Sequence, residues 1–330
     1  MSGHRILVTS RSFGTGNRDA SAELEASGLA VVRGQADHDL DTLRDTLGDA
    51  VAWIAGTGAI TAAHLAAAPQ LRVIARYGVG VDAVDRSAAA RFGITLTNTP
   101  GANTSAVADH TLGLMLASLR GIVTGDRNVR AGDWKAIRGR ELGSATVGII
   151  GFGRIGRAVA TRTAGFGARV LAYDPYVGAA AMAQEAAVPA PLADLARRCD
   201  IVSLHAPGGQ RVITAAWLAE PGPPLLLVNT ARAGLIDEPA VAAAMRSGRV
   251  AWFAADMLAA ENAAGACSSA LLAPELADRV IVTPHVAAQT IEAIDRMTAT
   301  TVDDVLAVLA GRPPRHAVPP PRETQCSRRT

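Results

Sequence analysis

The chain has 330 residues, 49% hydrophobic but only 4% aromatic, and its 19% charged share lies below the about 25% usual for globular proteins. That length suits a substantial core and two domains of roughly 100–150 residues each, and no run of about 18–20 apolar residues argues for a membrane span. The net charge of +2 is uneven: residues 312–330 hold five arginines and one glutamate, so the body carries −2 and nucleic-acid binding by it is not expected.

The first apolar run, Ile6, Leu7 and Val8, opens a strand and is too short for a signal-peptide core, so a soluble, cytoplasmic protein is expected. Strands are predicted at 6–9, 30–33, 51–55, 72–75 and 95–97, with helix-length stretches between them. A long apolar helix follows from about 104 to 120, and a second series of strands lies at 146–150, 169–173, 201–204, 225–229, 252–256 and 280–283. The segment 290–309 reads as a final helix, ended by Gly311 and a Pro- and Arg-rich tail. Continuous apolar runs separated by helices are the pattern of parallel strands buried on both faces. The fold class expected is α/β, with two doubly wound parallel sheets.

Scarce residues exclude several chemistries. Lys135 is the only lysine and no G-x-x-x-x-G-K-[ST] surrounds it, which removes P-loop phosphate chemistry and Schiff-base lysines elsewhere. Cys199, Cys267 and Cys326 stand apart with no C-x-x-C, against structural zinc or a disulfide framework. Neither H-E-x-x-H nor G-x-S-x-G occurs, so no metal site is expected and chemistry falls to His, Arg, Asp, Glu and a bound cofactor.

The cofactor has a clear candidate cradle. Gly151-Phe152-Gly153-Arg154-Ile155-Gly156 follows the strand 146–150 and opens a helix. The first glycine makes a tight turn, the second lets backbone N–H groups approach a pyrophosphate, and the third lets helix and strand pack closely. The next strand delivers Asp174, 18 residues after Gly156, where a carboxylate accepts ribose hydroxyls and repels a 2′-phosphate, favouring NAD over NADP. Arg154 reads equally as a phosphate contact or as a solvated first-turn residue. A bare glycine turn, with Asp174 only capping Pro175, is the structural alternative.

Six ordered motifs then coincide. They are Arg76-Tyr77-Gly78-Val79-Gly80-Val81-Asp82, Asn98-Thr99-Pro100-Gly101-Ala102-Asn103-Thr104, the Gly151 motif, Val228-Asn229-Thr230-Ala231-Arg232, the stretch from Asp256 to Glu261, and Thr283-Pro284-His285. Over roughly residues 30–310 the chain resembles the D-2-hydroxyacid dehydrogenase family, in its phosphoglycerate dehydrogenase-like branch. The resemblance implies a flavodoxin-like catalytic domain, 1–98 with 287–311, interrupted by a Rossmann NAD domain, 99–286. A disordered tail, 312–330, and a homodimer complete the expectation.

Reduction of a 2-oxo acid needs a hydride donor, a proton donor and a cation for the carboxylate. Arg232 follows an apolar strand, where a guanidinium fork suits a carboxylate and its neighbouring carbonyl. His285 sits at another strand end beside a rigid proline, and a carboxylate partner would favour its imidazolium. Taken alone, Arg232 reads as a helix-end partner, His285 as a core histidine and Glu261 as a surface acid. By resemblance they fall on the family's catalytic Arg, Glu and His, although Asn262 stands where the family has proline. Resemblance also puts Asp256 on the nicotinamide carboxamide, Thr230 and Ala231 on the nicotinamide side, and Ala206 and Pro207 on the adenosine side. His205 matches a family histidine beside the cofactor but, like His110 on the linking helix, reads first as structural, and His4, His38, His64 and His316 carry no motif.

The substrate is expected to be a small anion. By resemblance Val79 and Gly80 offer backbone N–H groups to its carboxylate, with Asn103 nearby, and Arg76 reads either as a second cation or as a surface ion pair. Tyr77 replaces a small family residue, where it would narrow the pocket or lend a hydroxyl. The loop Ala55-Gly56-Thr57-Gly58-Ala59 lacks the arginine of phosphoglycerate enzymes. The expected activity is NAD-dependent interconversion of a small D-2-hydroxy acid and its 2-oxo acid. Phosphite or formate oxidation, or a non-catalytic NAD-sensing binding protein, are the alternatives.

Overall fold

The computed structural model describes residues 4–259 and 269–321. The chain divides into two compact units, one of residues 1–103 and 289–330, the other of residues 104–288. Each is built on one parallel sheet.

In the first unit the strands are β1 (His4–Val8), β2 (Leu29–Arg33), β3 (Ala50–Ala55), β4 (Val73–Arg76) and β5 (Thr95–Thr97). Their order is β2-β1-β3-β4-β5, all parallel, the flavodoxin-like order with its switch point between β1 and β3. β3 is the centre and all six of its residues are buried, which is why its sequence runs apolar without alternation. Trp53 on this strand packs with Leu7, Leu43, Leu47, Leu65 and Ile74. Short helices return the chain, several capped by an aspartate, as where Asp39 accepts from Thr42 N at 2.9 Å and Asp85 from Ala88 N at 2.8 Å.

The last helix, Ile291–Leu309, belongs to this unit and is capped by Thr290. It ends at Gly311, whose φ of +74° is the left-handed stop that glycine allows. Residues 312–321, placed by the sequence in a disordered tail, instead run back along β5. Thr97 and Ala317 form an antiparallel bridge, with Val318 N donating to Leu96 O at 2.7 Å and Asn98 N to His316 O at 3.3 Å. The physical reason lies on the last helix. Asp304 is buried and needs donors, and it finds Arg315 N at 2.7 Å and His316 Nδ1 at 3.0 Å.

The second unit holds β6 (Thr146–Ile150), β7 (Arg169–Tyr173), β8 (Val188–Pro189), β9 (Ile201–Leu204), β10 (Leu225–Asn229), β11 (Val250–Ala255) and β12 (Val280–Val282). The order is β12-β11-β10-β9-β6-β7-β8, again parallel throughout. Read from β6 this is the 3-2-1-4-5-6 winding of a dinucleotide-binding sheet, with β12 added at one edge. Alternate residues serve the two faces. Leu171, Leu204, Leu227 and Phe253 enter one apolar cluster, while Val170, Ile201, Leu226 and Val228 enter the other. Two buried faces leave little place for polar side chains in the strands, so the polar residues gather at the strand ends.

Among the described residues no single helix is long and apolar enough to cross a membrane. The apolar helix Thr104–Arg120 packs on β10, β11 and the helix Arg154–Gly165. At Gly121, φ +59°, where the sequence ends the apolar helix, the chain bends by 60° into a second helix, Ile122–Arg130, that was not expected. The two-residue strand β8 is likewise unexpected, being too short to carry a pattern.

Candidate active site

The glycine turn after β6 takes the form that its spacing predicts. Gly151 has φ +90°, and a Cβ there would stand 2.5 Å from Ala206 N. At Gly156 a Cβ would stand 2.0 Å from Gly151 O, so only glycine lets helix and turn close together. Gly153 differs, for a Cβ there meets nothing within 4 Å. The protein's own packing does not demand glycine at that position. What it leaves is an open approach to the first turn of the helix Arg154–Gly165, whose N–H groups have no intrahelical partners. Arg154 is exposed there and Ile155 half-buried.

Asp174 follows β7 and does more than cap its neighbour. One carboxylate oxygen accepts Phe152 N of the glycine turn at 2.7 Å, and the other accepts Tyr176 N at 2.8 Å. The acid is thereby fixed against the turn, with lone pairs remaining for ribose hydroxyls. Beside it Tyr173, Val177, Pro189, Ala190 and Pro191 line a cavity of about 240 Å³, apolar enough for a planar base. Arg157, which belongs to no motif, lies with its guanidinium 5.7 Å above the Phe152 ring and donates to Phe152 O at 3.1 Å. Across the turn, Ala206 is half-buried and Pro207 exposed. His205 bonds Ser203 Oγ through Nε2 at 2.9 Å and has its Nδ1 buried without a hydrogen-bond partner. Burial pushes its pKa down to about 3, so the ring is neutral. An open cradle, a fixed acid and an orphaned ring nitrogen fit a dinucleotide.

Two further turns carry the candidate chemistry. After β10, the buried Asn229 spans its own turn: its Oδ1 accepts Ala231 N at 3.1 Å and its Nδ2 donates to Arg232 O at 2.9 Å. Thr230 is buried and bonds Thr111 Oγ1 at 2.8 Å. Arg232 is half-buried and donates to Ala231 O at 2.6 Å. After β12 the chain turns through Thr283-Pro284-His285, where His285 is exposed with φ +54°, a left-handed conformation that a non-glycine residue holds only under constraint. The constraint comes from Asp256, at the end of β11 and fully buried. Its main-chain oxygen accepts His285 N at 2.7 Å. Oδ1 accepts Thr283 Oγ1 at 2.6 Å and Val286 N at 2.9 Å, and Oδ2 accepts Ala287 N at 2.8 Å. The structure therefore turns Asp256 toward the His285 turn. Glu261 lies outside the described residues.

β6, β9, β10, β11 and β12 are parallel neighbours, so the glycine turn, Ala206, Arg232, Asp256 and His285 all lie at one edge of one sheet. A family model described as "D-isomer specific 2-hydroxyacid dehydrogenase, NAD binding domain" matches residues 112–287. The chain is 42% identical over 257 residues to D-3-phosphoglycerate dehydrogenase of Mycobacterium leprae, covering 76% of this chain and 48% of that protein. The chain belongs to the D-isomer-specific 2-hydroxyacid dehydrogenase family. It spans about half the length of the mycobacterial relatives. Among solved structures of the family fold, a protein of Thermus thermophilus superposes with a TM-score of 0.83 at 34% identity, over 96% of this chain and 100% of that one. D-lactate dehydrogenase of Aquifex aeolicus, in complex with NAD and lactic acid, superposes with a TM-score of 0.81 at 26% identity, over 93% and 96%.

The remaining family positions lie in the first unit. After β4, Gly78 takes φ +135°, Val79 is 37% exposed and Gly80 half-buried. Arg76 donates to Tyr77 O at 2.5 Å and Ala55 O at 3.4 Å, bracing this loop from within. Asn103 has its side-chain oxygen buried with no hydrogen-bond partner. Tyr77 corrects an expectation. It neither narrows a pocket nor lends a hydroxyl, because its ring is buried and its OH donates to Ile294 O at 2.9 Å beside Thr298 Oγ1 at 2.8 Å. Burial pushes this phenol up to about 12. A lone tyrosine in a loop gave no sign of a partner more than 200 positions away.

Proposed function

We propose that this family member is an NAD-dependent dehydrogenase interconverting a small D-2-hydroxy acid and its 2-oxo acid. The observation that carries the reading is the common sheet edge: a dinucleotide cradle, a guanidinium and a histidine all follow the carboxyl ends of neighbouring parallel strands. Gly151, Gly153, Arg154, Ile155 and Gly156 would hold the pyrophosphate, Asp174 the ribose, Ala206 and Pro207 the adenosine side, and Thr230 and Ala231 the nicotinamide side. NAD(H), when bound, supplies or accepts the hydride at C2.

The chain's own residues do the rest. Arg232 binds the carboxylate and the adjacent carbonyl oxygen as a planar fork, which fixes the face of C2 that reacts. In reduction His285 gives its proton to the carbonyl oxygen as negative charge develops there, and is left as neutral imidazole. In oxidation it takes the proton back from the hydroxyl. Glu261 is the proposed partner that favours the imidazolium of His285. The 77–81 loop of the first unit, with Val79, Gly80, Arg76 and Asn103, is the proposed substrate-binding element of that unit. A homodimer is proposed from the resemblance and is checked by light scattering.

The test is a panel of pyruvate, hydroxypyruvate, glyoxylate, phosphonopyruvate and 3-phosphohydroxypyruvate, each supplied with NADH. Oxidation of NADH by at least one acid is expected. Silence across the panel, with NAD⁺-linked oxidation of phosphite or formate instead, overturns the substrate class. Replacing His285 by Gln is expected to lower turnover roughly 10²- to 10⁴-fold, the usual worth of a positioned proton donor. Near-normal turnover removes that role.

A further inference from the structure

A chain of hydrogen bonds reaches the His285 turn from a helix with no part in the reaction proposed above. His110, on the second turn of the helix Thr104–Arg120, places Nε2 2.9 Å from Thr283 Oγ1 and 3.5 Å from Asp256 Oδ1. The directions follow from donor inventory. A buried carboxylate only accepts, so the Thr283 hydroxyl at 2.6 Å must donate to Asp256. That uses its single proton, and His110 must therefore donate from Nε2. Thr283 thus accepts from one side and donates to the other. Asp256 gathers this hydroxyl and two consecutive backbone N–H groups, Val286 and Ala287, the residues just after His285.

Place in the chain adds weight. Thr104 and Ala288 bound the second unit, and His110 and Thr283 each lie a few residues inside one of those ends. Their hydrogen bond spans 173 positions and ties together both segments by which this unit joins the rest of the polypeptide. The next residue along the helix, Thr111, makes the parallel tie to Thr230 in the Arg232 turn. One helix turn thus touches both loops that carry the candidate chemistry.

We propose that His110 and Thr283 are positioning residues which, through Asp256, hold the left-handed turn presenting His285. This rests on His285 being the proton donor. They need not touch substrate or cofactor; their work is to fix where the imidazole stands.

The experiment is a double-mutant cycle. Thr283→Val removes the relaying hydroxyl at constant shape, Thr283→Ser restores it, and His285→Gln supplies the second background. The readouts are kcat with the panel acid turned over fastest, NADH affinity by fluorescence quenching, and amide hydrogen exchange at Val286 and Ala287. Thr283→Val is expected to lower kcat at least tenfold with NADH affinity within twofold of wild type, and Thr283→Ser to recover most of the loss. In the His285→Gln background the same change is expected to cost less than twofold. Equal factors in both backgrounds, or NADH affinity falling in step with kcat, overturn the proposal. If Thr283→Val does not fold, His110→Leu, at a partly exposed helix position, takes its place with an expected loss of threefold or more. If His285→Gln keeps wild-type turnover, the functional reading fails separately. Faster exchange at Val286 and Ala287 in Thr283→Val, and not in Thr283→Ser, then still supports the holding role, and unchanged exchange overturns it.

Discussion

Each sheet has a buried polar cluster just past the carboxyl ends of its strands, and the two clusters follow opposite electrostatic plans. In the first unit Thr9, His38, Trp53 and His64 form a neutral network. Its protons can be placed from the acceptors alone. His38 donates from Nδ1 to Ala59 O at 3.3 Å, so its Nε2 accepts the Thr9 hydroxyl at 2.7 Å. Thr9 in turn accepts Trp53 Nε1 at 2.9 Å and Gly56 N at 3.3 Å. His64 donates to His38 O at 2.8 Å and accepts from Thr61. In the second unit the network is gathered round a buried carboxylate, Asp256, and it holds an exposed histidine. The lesson is that a histidine at a strand end is not by that fact a catalytic one. His38 spends both ring nitrogens inside the fold, whereas His285 is exposed and its backbone is held by Asp256.

The comparison can be tested in descending order of effect. Thr9→Val leaves a histidine, an indole N–H and a backbone N–H without their common partner. Stability of the first unit is expected to fall on the order of 4 kcal/mol in urea melts, with NADH affinity, a property of the second unit's cradle, unchanged. Loss of cofactor affinity in this variant would break the distinction between a structural and a functional cluster.

Acid comes next. Burial, together with the positive charges of Arg76 and any proton on His64, holds His38 down to about 4, against the carbonyl of Ala59 and the carboxylate of Asp37. A histidine depressed in the folded state contributes stability above its ordinary value of 6.5 that is lost as pH falls toward 4. About 3 kcal/mol should disappear across that window, since each pH unit between the folded and unfolded values is worth about 1.4 kcal/mol. His38→Gln, which keeps one donor and one acceptor, is expected to remove this share and make the curve shallower, leaving the share of His205, which burial holds down to about 3. An equally steep curve in that variant assigns the effect elsewhere.

The mildest test falls on the candidate turn that carries Arg232. Asn229→Ala removes the amide that holds Ala231 N and Arg232 O. Arg232 keeps its charge and loses its fixed base, so kcat/KM is expected to fall roughly thirtyfold, about 2 kcal/mol. Lysine in place of Arg232 should fall further, because it lacks the planar fork. A Lys variant as active as wild type would show that only charge matters there.

What the sequence revealed follows the range over which its signals act. Strand runs, the spacing of Gly151, Gly153 and Gly156, and the acid at Asp174 are local: Gly151 and Gly156 are demanded by atoms within one β-α-β unit or its neighbouring strand, and Gly153 stands between them in the same turn. The turn carrying His285 was legible as a motif, but its φ of +54° and its support from Asp256 were not. Asp256 was assigned to the cofactor by resemblance, and the geometry adds that its carboxylate is occupied by Thr283, Val286 and Ala287. Tyr77, His110 and Thr111 escaped because their partners lie more than a hundred positions away, and no periodicity encodes such a pairing. Residues 312–321 misled for a related reason. Proline and arginine look like disorder in isolation, and only the buried Asp304 reveals what they are for.

That last segment has a colloidal meaning as well as a structural one. A parallel sheet has two rims, each a row of unpaired amides on which a second chain can grow. The run along β5 covers one rim at Leu96–Asn98 with the short stretch His316–Val318, flanked by prolines at 313, 314 and 319–321 that have no N–H to offer. An edge strand this short, with proline on both sides, gives a second chain little to extend.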